Sequence, residues 1–438
     1  MLLVTGSRRI FCNSFVLSSK RAHSRSAFHP SFAASRSTSV SENMSSSGNN
    51  LRPVLAKKVP ADSLEECGQR LRDGHLVAFP TETVYGLGCN ALDPSAITKV
   101  FEAKERPLTD PLIVHVTERE HAFDLWNAES SSNEGKALLA LCQHFWPGPL
   151  TLVAKAASHV PPTLMANTGF VACRSPSHPV ARALIDASRV PLAAPSANKF
   201  GHVSPTRANH VWDDLLHEDV WIIETETEPT DVNPSEKKSG SAVCNVGVES
   251  TVAKVEMLND QGRVTGRVTL LRQGAISVAD IQVCLEQAGL ADGFVVETHT
   301  KKTTEDHVAT VAPGQTIRHY SPHIPSFILA QSRCLTAEDV SPADEAFLAK
   351  SVIIDFGANL TAWKERAVAY RDLSESGNGA EAATAVFDTL RWAEQVEGAT
   401  QILFPEIEDG IKASDALTLA LKDRLTRAAS GEIIDELR

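Results

Sequence analysis

The chain runs to 438 residues, of which 42% are hydrophobic, 22% charged and 6% aromatic. That globular composition excludes whole-chain disorder, a collagenous repeat and a disulfide-framed toxin, and the length points to two or three domains. Lys+Arg number 42 against 54 Asp+Glu, a formal net charge of -12. The excess is uneven: residues 1–43 carry Arg8, Arg9, Lys20, Arg21, Arg25 and Arg36 against Glu42 alone, so they stand at +5 and the remainder at -17. A body this acidic argues against broad nucleic-acid binding, which depends on neutralising phosphates.

Residues 1–43 are rich in Arg and Ser, and their apolar stretches are too short for a secretory signal. They read as a mitochondrial targeting peptide, with a plastid address or a plain tail as alternatives. Met44, one of four methionines, follows directly, and initiation there predicts a second, cytosolic product. No run of about 18 apolar residues occurs, so no membrane-spanning helix is expected. The eight cysteines are all at least 22 residues apart, which gives no metal-ligand spacing and predicts buried, reduced thiols.

Leu64, Cys67 and Leu71 form one apolar face of a helix that Gly74 stops, and a strand follows at 76–79. After 80–92, Asp93 and Pro94 open a helix that Pro107 ends. Strands are predicted at 112–116, 150–155, 171–174, 191–194, 220–224, 250–255 and 268–272, with helices near 135–145, 179–188 and 278–288. This alternation over 55–297 argues for an α/β domain with a mixed sheet. The polar segment 298–325 reads as a linker, and 225–241 as a mobile surface loop. In 326–438 the cycle restarts, with strands at 327–330, 351–356 and 401–404 and helices near 380–396 and 414–429, a second and smaller α/β domain.

Gly86, Gly88 and Ala91 satisfy G-x-G-x-x-A after a strand. In a dinucleotide site such glycines open a helix directly, whereas here the helix starts only at Asp93, so no Rossmann cofactor is expected. Lys104 continues the stripe Ile97, Val100, Phe101, so the sheet-facing side of this helix ends in an ammonium; with Arg106 it forms a candidate phosphate clamp. Alone, Lys104 reads rather as a snorkelling lysine, and it is Arg106 that turns the reading toward a clamp. Arg174 alternates with Ala172 and Phe170, and Arg272 ends its strand. Cations at the ends of separate elements lie where open α/β sheets bind ligands. Ser196 and Asn198 follow a strand of small residues, Thr81, Thr83 and Tyr85 bring hydroxyls after the first strand, and His115 sits within one. Cations plus hydroxyls suit a nucleotide and a small polar substrate, with catalysis by positioning and charge neutralisation.

Taken together, PTETVYGLG (80–88), KERP (104–107), PLIVHV (111–116), WPGPLTLV (146–153), APSAN (194–198), SPT (204–206), GVESTV (247–252) and LLRQG (270–274) resemble the YrdC/Sua5 family. APGQTIRHYSP (312–322) and DRLTRAA (423–429) resemble its two-domain Sua5 branch. The resemblance implies a YrdC-like twisted mixed sheet with helices, plus a smaller Rossmann-like α/β C-terminal domain. The implied activity is that of a threonylcarbamoyl-AMP synthase, a nucleotidyltransferase using ATP with Mg2+, L-threonine and bicarbonate. Its product feeds a downstream tRNA threonylcarbamoyltransferase. By the same resemblance Thr81, His115, Arg174, Ser196 and Ser250 surround threonine, and Lys104, Arg106, Leu108, Asn198, Ser204, Thr206 and Arg272 serve ATP. His319 and Tyr320 of the linker form a gate. Gln315, Thr316, Ile317 and Gln273 depart from the family strings. An RNA-binding module or a nucleotide-binding regulator without turnover is the alternative reading.

Overall fold

The amphipathic and fully apolar segments of the sequence assemble on two sheets. The protein is described from a computed structural model covering residues 52–225, 244–260, 263–299, 309–313, 319–330, 340–408, 410–412 and 414–435. The 1–43 leader, Met44, nearly all of the 225–241 loop, and Gln315, Thr316 and Ile317 lie outside these residues.

The first sheet contains β1 (Lys57–Pro60), β2 (Leu76–Phe79), β3 (Gly86–Asn90), β4 (Ile113–His115), β5 (Leu150–Lys155), β6 (Phe170–Arg174), β7 (Leu192–Ala193), β8 (Val220–Glu224), β9 (Thr251–Asp260), β10 (Arg263–Arg272) and β11 (Phe294–Thr298). Their order is β1-β8-β2-β3-β7-β4-β6-β5-β9-β10-β11, with parallel and antiparallel pairs mixed. The helices are α1 (Leu64–Arg72), α2 (Pro94–Lys104), α3 (Arg119–Leu125), α4 (Asn133–Phe145), α5 (Pro179–Ser188), α6 (Ala208–Leu215) and α7 (Val278–Gln287). Helix α2 begins where the sequence placed it, because the Asp93 side chain accepts from the Ser95 amide and Pro94 fills the first turn. It ends at Glu105, whose left-handed φ of 55° breaks the helix two residues before Pro107.

The segment 80–92 holds a strand that the sequence reading did not assign. Here β3 pairs antiparallel with β2, Gly88 facing Val77. A Cβ on Gly88 would lie 2.8 Å from the Phe79 ring and 3.1 Å from the Val77 carbonyl. The glycine therefore serves close strand packing. The sequence reading also did not assign β1, α3, α6 and β11, and β9 and β10 extend well beyond 250–255 and 268–272.

The second sheet contains β12 (Ser326–Leu329), β13 (Ser351–Asp355), β14 (Ala369–Asp372), β15 (Gln401–Pro405) and β16 (Ile433–Ile434), in the order β14-β13-β15-β12-β16 and parallel throughout. Helices α8 (Pro342–Leu348), α9 (Gly379–Glu394) and α10 (Ala416–Ala428) flank it. One apolar cluster joins Val84, Val203 and Val248 from around the first sheet to Tyr320 and to Phe387, Leu421 and Leu425 of α9 and α10. The described residues from Arg52 onward form one compact unit. The six described cysteines are buried.

Candidate active site

A cavity opens at one end of the first sheet. Its lining comes from the turn after β2 (Thr81, Thr83), the last residues of β4 (His115), β6 (Arg174) and β10 (Arg272), the segment after β7 (Ser196), the α2–β4 connection (Arg106), and Glu249, His319 and Tyr320. Sheet register creates part of this: β4 and β6 are parallel with His115 beside Arg174, and Gly86 bridges to Ser196. Ten sequence-predicted residues thus converge: Thr81, Thr83, Tyr85, Arg106, His115, Arg174, Ser196, Arg272, His319 and Tyr320.

The cations are not bare. Arg174 lies 2.7 Å from Glu82 and donates to Thr83 Oγ1 at 2.9 Å. Arg106 lies 3.0 Å from Asp110 and donates to the carbonyls of Asp110 and Pro111 at 3.1 and 2.9 Å. Arg272 grips Ser250, donating to its carbonyl and its hydroxyl at 3.0 Å each. The sequence reading missed Glu82, Asp110 and Glu249. Asp110 carried a usable signal, four residues from Arg106; Glu82 sits between two threonines with no periodicity to mark it.

Burial governs the titration of these groups. Desolvation pushes His115 down to about 3, and the Arg174 charge adds to the shift, so the ring is neutral. Burial also drives Lys104 and His319 well below their ordinary ranges, neighbouring cations reinforcing it. For Glu82 burial works upward, but the Arg174 charge and hydrogen bond outweigh it and hold the carboxyl below its ordinary value. Among the described residues around the cavity, His115 Nδ1, His319 Nδ1 and the Tyr320 hydroxyl are buried without hydrogen-bond partners.

The other predicted residues stand behind the lining or away from it. Lys104 points its ammonium at the carbonyls of Ser196 (2.6 Å) and Asn198, so it holds the 194–198 segment from behind. Asn198 donates to the His202 carbonyl at 2.8 Å, and Ser204 donates to Glu249 at 2.5 Å. Thr206 neighbours His210, and Ser250 is tied to Thr151 at 2.7 Å. Leu108 is exposed and outside the lining. Elsewhere His202, His323 and Glu394 come close enough to suggest a metal. The two imidazoles, however, stack at 4.1 Å and 19°, so their in-plane lone pairs do not meet at one point. His202 instead uses Asp214 and Glu394 as partners.

Residues 69–236 match the Sua5_yciO_yrdC family, described as Telomere recombination. Residues 276–430 match Sua5_C, described as Threonylcarbamoyl-AMP synthase, C-terminal domain. The crystal structure of P. abyssi Sua5 complexed with L-threonine aligns at 30% identity and a TM-score of 0.66, over 87% of this chain and 99% of that one. The chain belongs to the Sua5/YciO/YrdC family. Family members named threonylcarbamoyl-AMP synthase are 36% identical over 252 residues in Pyrococcus abyssi and 37% over 279 residues in Schizosaccharomyces pombe. These matches cover 58% and 59% of this chain, and span 63% and 62% of the length of those relatives. A shorter family member with that name, from Alkalilimnicola ehrlichii, is 35% identical over 152 residues, 35% of this chain and 76% of its own. Membership agrees with the mixed first sheet and the parallel second one.

Proposed function

We propose that this chain is a threonylcarbamoyl-AMP synthase, joining L-threonine, bicarbonate and ATP into L-threonylcarbamoyladenylate, pyrophosphate and water. The observation that carries the reading is a cavity lined by Arg106, Arg174 and Arg272 together with three buried, unpartnered polar atoms, on His115, His319 and Tyr320. Buried polar groups without partners are costly, and a polar anionic ligand would supply them. The names of the relatives and the L-threonine of the aligned Sua5 structure support the choice of ligand.

In this reading Arg174 takes the threonine carboxylate, while Thr81, neutral His115, Ser196 and Ser250 surround the rest of the amino acid. Arg106 and Arg272 face the phosphates. Lys104, Asn198, Ser204 and Thr206 shape the nucleotide side, and Leu108 offers its backbone there. The threonine nitrogen adds to CO2 released from bicarbonate and loses a proton, giving a carbamate. A carbamate oxygen then attacks the α-phosphorus and its bond to the pyrophosphate oxygen breaks. The guanidiniums stabilise charge building on the phosphoryl oxygens, so no protein nucleophile is needed. Magnesium belongs to the nucleotide, since Glu82 and Glu249 are engaged by Arg174 and Arg424. The acyl-adenylate product suits transfer to tRNA by a separate threonylcarbamoyltransferase, which fits the -17 body. The Arg- and Ser-rich leader supports mitochondrial delivery, with Met44 initiation supplying the cytosol.

The test is pyrophosphate release with ATP, L-threonine and bicarbonate, each omitted in turn. All three are expected to be required; release that ignores threonine would overturn the reading.

A further inference from the structure

The cavity is backed by a helix far along the chain. Arg424 of α10 is fully buried and Arg427 nearly so, a placement that long cations tolerate only when paired. Arg424 Nε donates to Glu249 Oε2 at 2.9 Å, Nη2 to the Gln273 carbonyl at 3.0 Å, and Nη1 to Asp423 at 2.9 Å. One guanidinium thus reaches a carboxylate that lines the cavity and the backbone next to Arg272. The other oxygen of Glu249 accepts from Ser204, so both carboxylate oxygens are fixed.

The same guanidinium also faces the linker. Its carbon lies 5.0 Å from the centre of the Tyr320 ring, that of Arg427 4.9 Å, and the Phe387 ring 5.3 Å. Tyr320 has a left-handed φ of 61°, which a bulky residue keeps only where its surroundings hold it. Its unpartnered hydroxyl belongs to a residue of the cavity lining. The next residue, Ser321, donates its amide to the Gly201 carbonyl at 2.9 Å. The loop before Glu249 is pressed onto α9: a Cβ on Gly247, whose φ is +75°, would come within 2.3 Å of Ala383 O and Thr384 Cα.

We infer that Arg424 is a positioning residue of the cavity, whose guanidinium fixes the Glu249 carboxylate and the Tyr320 ring together, so that docking of α10 sets the shape of the site. Arg424 lies outside the lining itself and acts through those two residues. A structural ion pair alone would alter stability without singling out the linker or ligand affinity. The kinetic part of the inference rests on the proposed synthase activity; the placement of Tyr320 does not.

The experiment uses the full chain with Arg424→Met and, in case that variant does not fold, Arg424→Lys, which keeps the charge but loses the planar fork. Hydrogen exchange is followed at the Tyr320 and Ser321 amides and across β12–β16. Exchange about tenfold or more faster at 320–321 is expected while the strands keep their protection. Unchanged exchange at 320–321 in a folded variant overturns the inference, as does uniform loss of protection in both variants. In the pyrophosphate assay KM for L-threonine is expected to rise about tenfold, and Arg424→Met in a Tyr320→Ala background is expected to add little. Full additivity would refute action through Tyr320. If the unaltered protein releases no pyrophosphate under any combination of substrates, the proposed function fails while the exchange result still decides the role of Arg424.

Discussion

Replacing Glu82 by Gln removes the charge that neutralises Arg174 and changes little else, since the two side chains have nearly the same shape. In the structure the pair lies 2.7 Å apart with side chains only 4% and 5% exposed. Unit charges about 4 Å apart at an effective dielectric of about 20 attract by about 4 kcal/mol. Breaking a buried pair by removing one partner costs about 3–5 kcal/mol. Arg174 keeps its bonds to Thr83 and the Gly148 carbonyl, so a loss near 3 kcal/mol is expected in the ligand-free variant. Threonine should offset much of this, because its carboxylate supplies the missing negative charge; each 1.4 kcal/mol so regained tightens binding by about tenfold. Denaturant unfolding with and without saturating L-threonine, alongside calorimetric binding, measures both effects. The acid limb gives a further check. The folded-state pKa of Glu82 is depressed, so its contribution is present above the unfolded value of about 4.3 and lost as pH falls through the folded one. The variant should lack that component. A variant as stable as the parent, or one that binds threonine more weakly, would refute neutralisation of Arg174 as the role of Glu82.

Lys104→Met removes an ammonium from two backbone carbonyls and should lower the unfolding midpoint while raising KM for ATP by about tenfold or more; an unchanged KM would sink its assignment to the nucleotide side. His202 tests the contact between the first sheet and α9. Burial alone would lower its pKa, but hydrogen bonds to Asp214 and Glu394 outweigh that and raise it. Its stabilisation is therefore complete below about pH 6.5 and lost as pH rises through the raised value. Unfolding midpoints measured from pH 6 to 9 should fall more steeply in the parent than in His202→Gln, and parallel curves would contradict this.

Much of the local architecture was legible because it depends on neighbours in the chain. Asp93 and Pro94 announce α2 by hydrogen bonding and fixed φ, and apolar runs announce β2, β5 and β6. Two of the cations stood out because they interrupt an apolar stripe: Lys104 and Arg174 occupy positions where the helical or strand period demands a buried residue. The glycines at 86 and 88 were legible as unusual but not as a strand, since their reasons lie in residues distant in the chain or across the ladder: Gly88 makes room for the Phe79 ring, and Gly86 for Ala194.

Charge partnership was settled elsewhere. Glu82 meets Arg174 from 92 positions away, and Glu249 meets Arg424 from 175 positions away. No period of 2 or 3.6 residues links such groups. Sequence alone determined most of the helices and strands, those with a clear cap or apolar period, and that several cations must be buried at their ends, because those outcomes follow from backbone geometry and the cost of burying charge. Only the tertiary structure decided which carboxylate neutralises which cation, that Lys104 braces the backbone behind the cavity, and that α10 backs it. Those choices depend on where chain return places low-dielectric space, and there a buried charge must find a partner whatever its position along the chain.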